Sequence, residues 1–404
     1  MKIFSCCHLS AILCLPLLLS CHTTKAQLTG GAETSPPVIV GEGFTVEEAP
    51  EWTALFKRSS GWFGGDGIFA IPLDGRETGL SSSQAKNMVI FSDSMIGEIE
   101  GDSLMPGFSM VNNSVAYLHG HEPKAINIRF DWAKDSKGRP TSIFVPQTPS
   151  SEKGDYYWLG DGFLNPALDS TIYVFAYRMR NMDDAEEWSF KEMGTDLIAL
   201  SAKDKFPFKK QKQIETPFRF EDGGFGAGIF VNTQQAGVIN PDGYVYIYGV
   251  RGMEKNLMVS RVLPKDFEDF QAWRFWDGVN WNASMEKVAM VTPHVSNELS
   301  LSVLPDGRYA LIFTVNGLGP VVGMKIGDTP YGPFGPVIEL YRSGEMQQKN
   351  YLTYNAKAHP SLSGPGELLI SYNVNAFSFF DEIKANPYLY RPRFIKLKFA
   401  DHSK

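Results

Sequence analysis

The chain has 404 residues, with 38 Lys and Arg against 45 Asp and Glu; a formal charge of −7 leaves no basic excess for nucleic acid. Apolar residues at 43% and charged residues at 21% are ordinary globular composition and exclude a disordered chain. Aromatics at 13%, together with 38 Gly and 25 Pro, point to many short strands and turns, hence an all-β chain.

All four cysteines, Cys6, Cys7, Cys14 and Cys21, fall in the first 21 residues. The rest of the chain has no disulfide, no Cys metal site and no Cys nucleophile. Residues 1–20 read as a secretion signal, because the apolar stretch Leu9 to Ser20 falls short of the ~20 residues that span a bilayer. Leu18-Leu19-Ser20-Cys21 resembles a bacterial lipobox, with Cys21 as the lipidated residue. Cleavage after Ala26 is the other reading. The lipobox predicts export across the bacterial inner membrane and a lipid anchor in the cell envelope, at its periplasmic face or outer surface. Membrane contact would run through Cys21 alone. Residues 21–40 carry Thr, Gly, Ser and Pro36-Pro37, the composition of a flexible tether.

From there strand signals recur to the end, in five groups: Gly67–Trp132, Tyr156–Phe218, Gly228–Gly278, Val295–Arg342 and Tyr354–Phe399. Turn signals such as Asp74-Gly75, Asp242-Gly243, Asp306-Gly307 and Gly364-Pro365-Gly366 separate strands. One short helix is predicted, at Leu263 to Ala272. The first four groups hold four strands each and the fifth holds three. Phe44–Phe56 is placed to supply the missing strand. The pattern predicts one five-bladed β-propeller of four-stranded blades over residues 41–401, its ring closed by an N-terminal strand. A pair of stacked sandwiches has the same periodicity.

Several segments resemble the five-bladed propeller glycosidases, the broad group of arabinanases, invertases and levansucrases. They are Asn297-Glu298-Leu299-Ser300, Leu304-Pro305-Asp306-Gly307-Arg308-Tyr309 and Asp328-Thr329-Pro330-Tyr331-Gly332-Pro333-Phe334. Others resemble the secreted bacterial domains of unknown function 4185 and 5005. These are Gly61-Trp62-Phe63-Gly64-Gly65-Asp66-Gly67, Phe91-Ser92-Asp93-Ser94, Met110-Val111-Asn112-Asn113-Ser114 and Tyr354-Asn355-Ala356-Lys357-Ala358-His359-Pro360. The resemblance implies a five-bladed propeller and, behind it, action on furanoside glycans such as arabinan.

It also implies where the chemistry sits. Glycosidic cleavage needs one protonated and one ionised carboxyl group. On the family pattern, Asp66 is the general base or nucleophile. Asp161, in a second Gly-Asp-Gly, tunes a neighbouring acid. Glu298, at the head of an alternating strand, is a candidate for the acid, its other reading a solvated strand-start residue. In arabinanases and invertases the acid comes from the third blade; here that blade offers only Glu221 or Asp222, from a loop. His359 is a candidate for proton work or a sugar hydroxyl. Tyr354 and Asn355 are candidate hydroxyl partners. Asp93 and Asn113 are candidates for either turn-bracing or substrate contact. Trp62 and Trp158 are expected at the pocket rim. His119-Gly120-His121 places two imidazoles on one strand face without an evident third ligand. No metal site or cofactor is indicated; a calcium ion is left open without being called for.

The expected partner is a carbohydrate, and the expected state a monomer. The chain reads as a glycoside hydrolase-like lipoprotein. A glycan-binding propeller that does not cut is the rival reading, and a structural envelope protein the third.

Overall fold

The computed structural model describes residues 39–41, 43–78, 85–182, 189–348 and 350–400. The signal segment, Cys21, Ala26 and nearly all of the 21–40 tether lie outside the described residues. Among those described, no helix is long and apolar enough to cross a membrane.

The fold is all-β, and its antiparallel sheets follow one another along the chain. The first sheet is Phe69–Pro72, Lys86–Phe91, Ser114–His119 and Ile128–Asp131, with a second piece built on Ser60–Gly65 and Ser94–Glu100. The second is Tyr156–Asn165, Thr171–Asn181, Phe190–Ser201 and Lys212–Glu215. The third is built on Gly223–Val231, Val245–Arg251 and Asn256–Val262, extended by the hairpin Arg274–Trp276 and Trp281–Asn282. The fourth is Leu299–Val303, Tyr309–Thr314, Val321–Gly327 and Ile338–Arg342.

The fifth sheet joins the two ends of the chain. Tyr351–Ala358, Glu367–Ala376 and Arg393–Phe399 are completed by Phe44–Glu48, with Val46 opposite Leu397. The expected N-terminal strand is therefore present in this sheet. It is shorter than Phe44–Phe56, because Pro50–Leu55 turns into a helix with proline in its first turn. Ile39–Gly41 already pairs with Phe44–Glu48, so the sheet begins inside the expected tether.

The helix predicted at Leu263 to Ala272 does not form. Only the 3-10 turn Pro264–Asp266 is helical there, and Phe267 and Trp273 are buried in a core against Phe163, Tyr173 and Phe218. Aromatic packing outweighs local helix propensity. A helix at Phe379–Ala385, unforeseen in the sequence, fills the connection between the last two strands.

The first strands of successive sheets lie side by side. Phe69–Pro72 touches Tyr156–Asn165, which touches Gly223–Val231, then Leu299–Val303, then Tyr351–Ala358; the turn Pro360–Leu362 comes back against Phe69–Pro72. Hydrogen bonds stitch these neighbours. Leu159 N donates to Ser92 Oγ (2.8 Å), Ile229 N to Asp161 Oδ2 (2.7 Å) and Ala358 N to Ser300 Oγ (2.7 Å). At the third-to-fourth junction glycine does the work: a Cβ on Gly228 would lie 2.6 Å from the Leu299 carbonyl oxygen.

Three of these strands are bulged at a similar place. Register shifts fall between Leu159 and Gly162, Phe225 and Gly228, and Tyr354 and Lys357. A bulge inserts an extra residue and re-aims its side chain. The residues inserted are Gly160-Asp161, Gly226-Ala227 and Asn355-Ala356.

Candidate functional site

In the first sheet the break is complete. Ser60–Gly65 gives way to Phe69–Pro72, Lys86–Phe91 to Ser94–Glu100, and Ser109–Val111 to Ser114–His119. Asp66, Asp93 and Asn112 occupy the three breaks and lie in a row. Asp66 N donates to the Asp93 carbonyl (3.2 Å), Ser92 N to the Asp66 carbonyl (2.9 Å), and Asn112 Nδ2 to Asp93 Oδ1 (3.0 Å). The glycines around Asp66 admit neighbouring chain. A Cβ on Gly64 would lie 2.1 Å from the Tyr390 carbonyl, and one on Gly67, at φ +62°, 2.6 Å from Ser92 Oγ.

Asp66 Oδ2 accepts the Tyr354 hydroxyl at 2.6 Å, while Oδ1 is buried and accepts no hydrogen bond of ordinary length. Burial raises its carboxyl above the usual range; the hydroxyls of Tyr354 and Tyr390 and the charge of Lys357 pull the other way. Asp93 is pushed up to about 7, first by burial and then by the negative charge of Asp66, against donation from Asn112 and the nearby Trp158 indole, whose N–H makes no hydrogen bond of ordinary geometry. Two adjacent carboxyls thus have unequal environments. Donors and a cation favour the charged form of Asp66, and the neighbouring anion favours the neutral form of Asp93.

Lys357 is the hub of the rest. It is fully buried, its ammonium stands 4.4 Å from the centroid of the Phe69 ring, and it is ion-paired with Glu298 Oε2. Its charge also reaches Asp66, Asp161 and His359. Glu298 Oε1 accepts Asn355 Nδ2 at 2.6 Å. Burial raises Glu298 to about 6 despite Lys357. Asp161 is raised to about 7 by burial, although both its oxygens accept backbone N–H groups, from Gly162 and Ile229, at 2.7 Å each.

The structure therefore brings Asp66, Asp161, Glu298, Tyr354 and Asn355 into one cluster with Asp93. His359 lies deeper, beside a small cavity that Asp161, Ser300 and Glu77 also line. Its Nε2 pairs with Ser371 Oγ at 2.7 Å, and burial drops it to about 3, which keeps the imidazole neutral. Trp158 is half-buried and packs edge-on against Phe190 at 4.7 Å.

Three expectations fail. Trp62 is not at a rim: it is 1% exposed and stacked on Phe130 at 4.5 Å, in the core beside the break that holds Asp66. Asn113 makes no open contact. It is fully buried, with Nδ2 on the Phe144 and Tyr157 carbonyls and Oδ1 on the Phe144 amide, at 2.8, 3.2 and 2.8 Å. Glu221 is exposed in a turn, and neighbouring Asp222 pairs with Arg251; no hydrogen bond or ion pair joins either to the cluster. Where the second sheet has Asp161 in its bulge, the third has Gly226-Ala227.

Sequence reasoning missed Lys357, Glu77 and Tyr390. Lys357 stands inside a quoted motif, and the bulge that turns it inward leaves no signature in residue types. Glu77 follows a loop and carries a buried Oε1 without a partner, its carboxyl held well above the usual range by burial.

Among solved structures, a Bacteroides ovatus protein provisionally described as a hydrolase matches with TM-score 0.67 and 22% identity, over 88% of this chain and 90% of its own. An endo-arabinase from Bacteroides thetaiotaomicron matches with TM-score 0.40 and 10% identity, over 83% and 98%. An exo-β-1,3-galactanase from Phanerochaete chrysosporium, solved with galactose, matches with TM-score 0.41 and 10% identity, over 82% and 60%. No curated protein matches. Residues 50–399 match the sequence family described as domain of unknown function (DUF5005), and the chain belongs to that family.

Proposed function

We propose that the protein is a glycoside hydrolase whose carboxylates meet where the first strands of the sheets converge. The carrying observation is Asp66: a carboxyl oriented by Tyr354, with Oδ1 free of any hydrogen bond of ordinary length, beside carboxyls held at about 6 to 7. Carboxyls poised near neutrality beside one whose charged form is favoured by donors and a cation are what acid/base cleavage of a glycosidic bond requires. Asp66 takes the base or nucleophile role. Asp161 holds the second and third sheets together and sets the field around Asp66. Lys357 balances the accumulated negative charge.

The succession of sheets, with chain ends joined in the fifth, supports reading the fold as one five-bladed propeller over residues 41–401. We read it as an exported, lipid-anchored monomer that meets glycan at the cell envelope; the segment at 1–20 and Cys21 support the export and the anchor alone. The sugar class we favour is a furanoside glycan such as arabinan. Incubation with arabinans, fructans and galactans, read as released reducing sugar, tests the reading; no release from any of them refutes hydrolysis of those glycans.

One observation favours a binder instead. Asp161 and Glu298 each have both oxygens engaged by protein donors, and the third sheet contributes no acid. Glycan binding without release, measured by affinity electrophoresis, is the result that reading requires.

A further inference from the structure

The acid partner of Asp66 is sought among the carboxyls clustered with it, Asp93, Asp161 and Glu298, by asking which can release a proton; Glu77 lies on the cavity by His359 and feels Asp161 and Asp74 rather than Asp66. A general acid must carry the proton on an oxygen that faces the leaving group. Glu298 fails this test, since Lys357 holds one oxygen and Asn355 the other. So does Asp161, whose two oxygens accept the Gly162 and Ile229 amides, both at 2.7 Å. Asp93 accepts one hydrogen bond of ordinary length, from Asn112 on Oδ1, and the indole N–H of Trp158 lies against the same carboxyl.

The surroundings of Asp93 differ from those of the others. Tyr156 feels its charge, and Trp158 meets both Tyr156 (ring centroids 6.0 Å apart) and Phe190 (4.7 Å) edge to face. Phe190 is 38% exposed, so this aromatic shelf opens to solvent while Glu298 and Lys357 lie beneath the surface. A flat aromatic face beside a carboxyl suits a sugar ring packed through its C–H groups. Resting on the hydrolase reading above, we propose that Asp93 is the general acid paired with Asp66, and that Tyr156, Trp158 and Phe190 form the shelf on which the leaving sugar lies. The adjacent Asp66 anion keeps the Asp93 proton in place until the bond breaks.

In the step, the bond from the anomeric carbon to the bridging oxygen breaks as Asp93 passes its proton to that oxygen. The leaving sugar departs with a hydroxyl. One water supplies the hydroxyl on the anomeric carbon, directly with Asp66 as base or by opening an Asp66 ester. Its remaining proton restores the neutral Asp93 through solvent. One bridge and one water become two hydroxyls.

The test uses the full chain, the glycan from which the wild type releases sugar, and the 2,4-dinitrophenyl glycoside of that sugar. Asp93→Asn keeps the Asn112 contact. It is expected to lose about 10²–10⁴ in kcat/KM on the glycan, where the leaving group needs a proton, and to lose far less on the dinitrophenyl glycoside. The alkaline limb of the pH profile disappears with it. Asn112→Asp, which sets another anion beside Asp93, moves that limb to higher pH. Equal losses by Asp93→Asn on both substrates with the limb intact, or the leaving-group pattern in Glu298→Gln, overturn this assignment while leaving the hydrolase reading standing. A wild type that cleaves no glycan overturns both.

Discussion

Lys357 and Glu298, from the fifth and fourth sheets, form a buried ion pair at the centre of the site, with Lys357 fully inaccessible and Glu298 8% exposed. Such a pair costs desolvation on both sides, and removing one partner strands the other charge. Lys357→Met is therefore expected to destabilise the fold by about 3–5 kcal/mol in chemical denaturation. Lys357→Met with Glu298→Gln should recover much of that loss, since no unpaired charge then remains. Equal instability of single and double variants would contradict the pairing.

Stability should fall as pH rises through the range where these acids ionise. Asp93 and Asp161 are raised to about 7, and Glu298 to about 6. Between the ordinary carboxylate range near 4 and pH 7, the folded state binds more protons than the unfolded chain, so protons stabilise it. That contribution is full at the acid end of the window and is lost as pH passes each folded-state value. Melting temperature is expected to decline from about pH 5 to pH 8. Asp93→Asn should make the decline shallower.

The sheets were legible because strands and turns alternate in plain residue patterns; Tyr156–Asn165 is bounded as the pattern predicts. That Phe44–Glu48 completes the fifth sheet was legible from the missing strand there. The site was only partly so. Asp66, Asp161 and Glu298 stand where the glycosidase likeness directs attention. Lys357 did not, because lysine in a strand reads as a solvated face, and only the bulge after Tyr354 buries it. Trp62 misled because it flanks the Gly-Asp-Gly of Asp66, whereas the strand is bulged between Trp62 and Gly64 and Trp62 packs into the core with Phe91 and Phe130. Asp93 pairs with Asp66 through a break across three strands, a long-range coincidence that no local window contains.

The two tryptophans should separate structure from binding. Trp62→Ala removes a fully buried indole packed on Phe91 and Phe130, at a cost of about 3–5 kcal/mol. Trp158→Ala, at a half-buried position, should leave the melting temperature nearly unchanged and weaken glycan retention in affinity electrophoresis. Loss of stability without loss of binding at Trp158 would remove it from the shelf.

Asn113→Ala tests a residue that serves the fold alone. It strands the Phe144 amide and the Phe144 and Tyr157 carbonyls, an expected loss of about 1–3 kcal/mol for each group left dry. Glycan affinity of the folded fraction should match the wild type.

The most direct measurement is sugar release by the purified protein and by Asp66→Asn, side by side, on arabinans, fructans and galactans. The account predicts release by the wild type that disappears in Asp66→Asn, with the variant still folded and still retained by the glycan. Undiminished release by Asp66→Asn would contradict it.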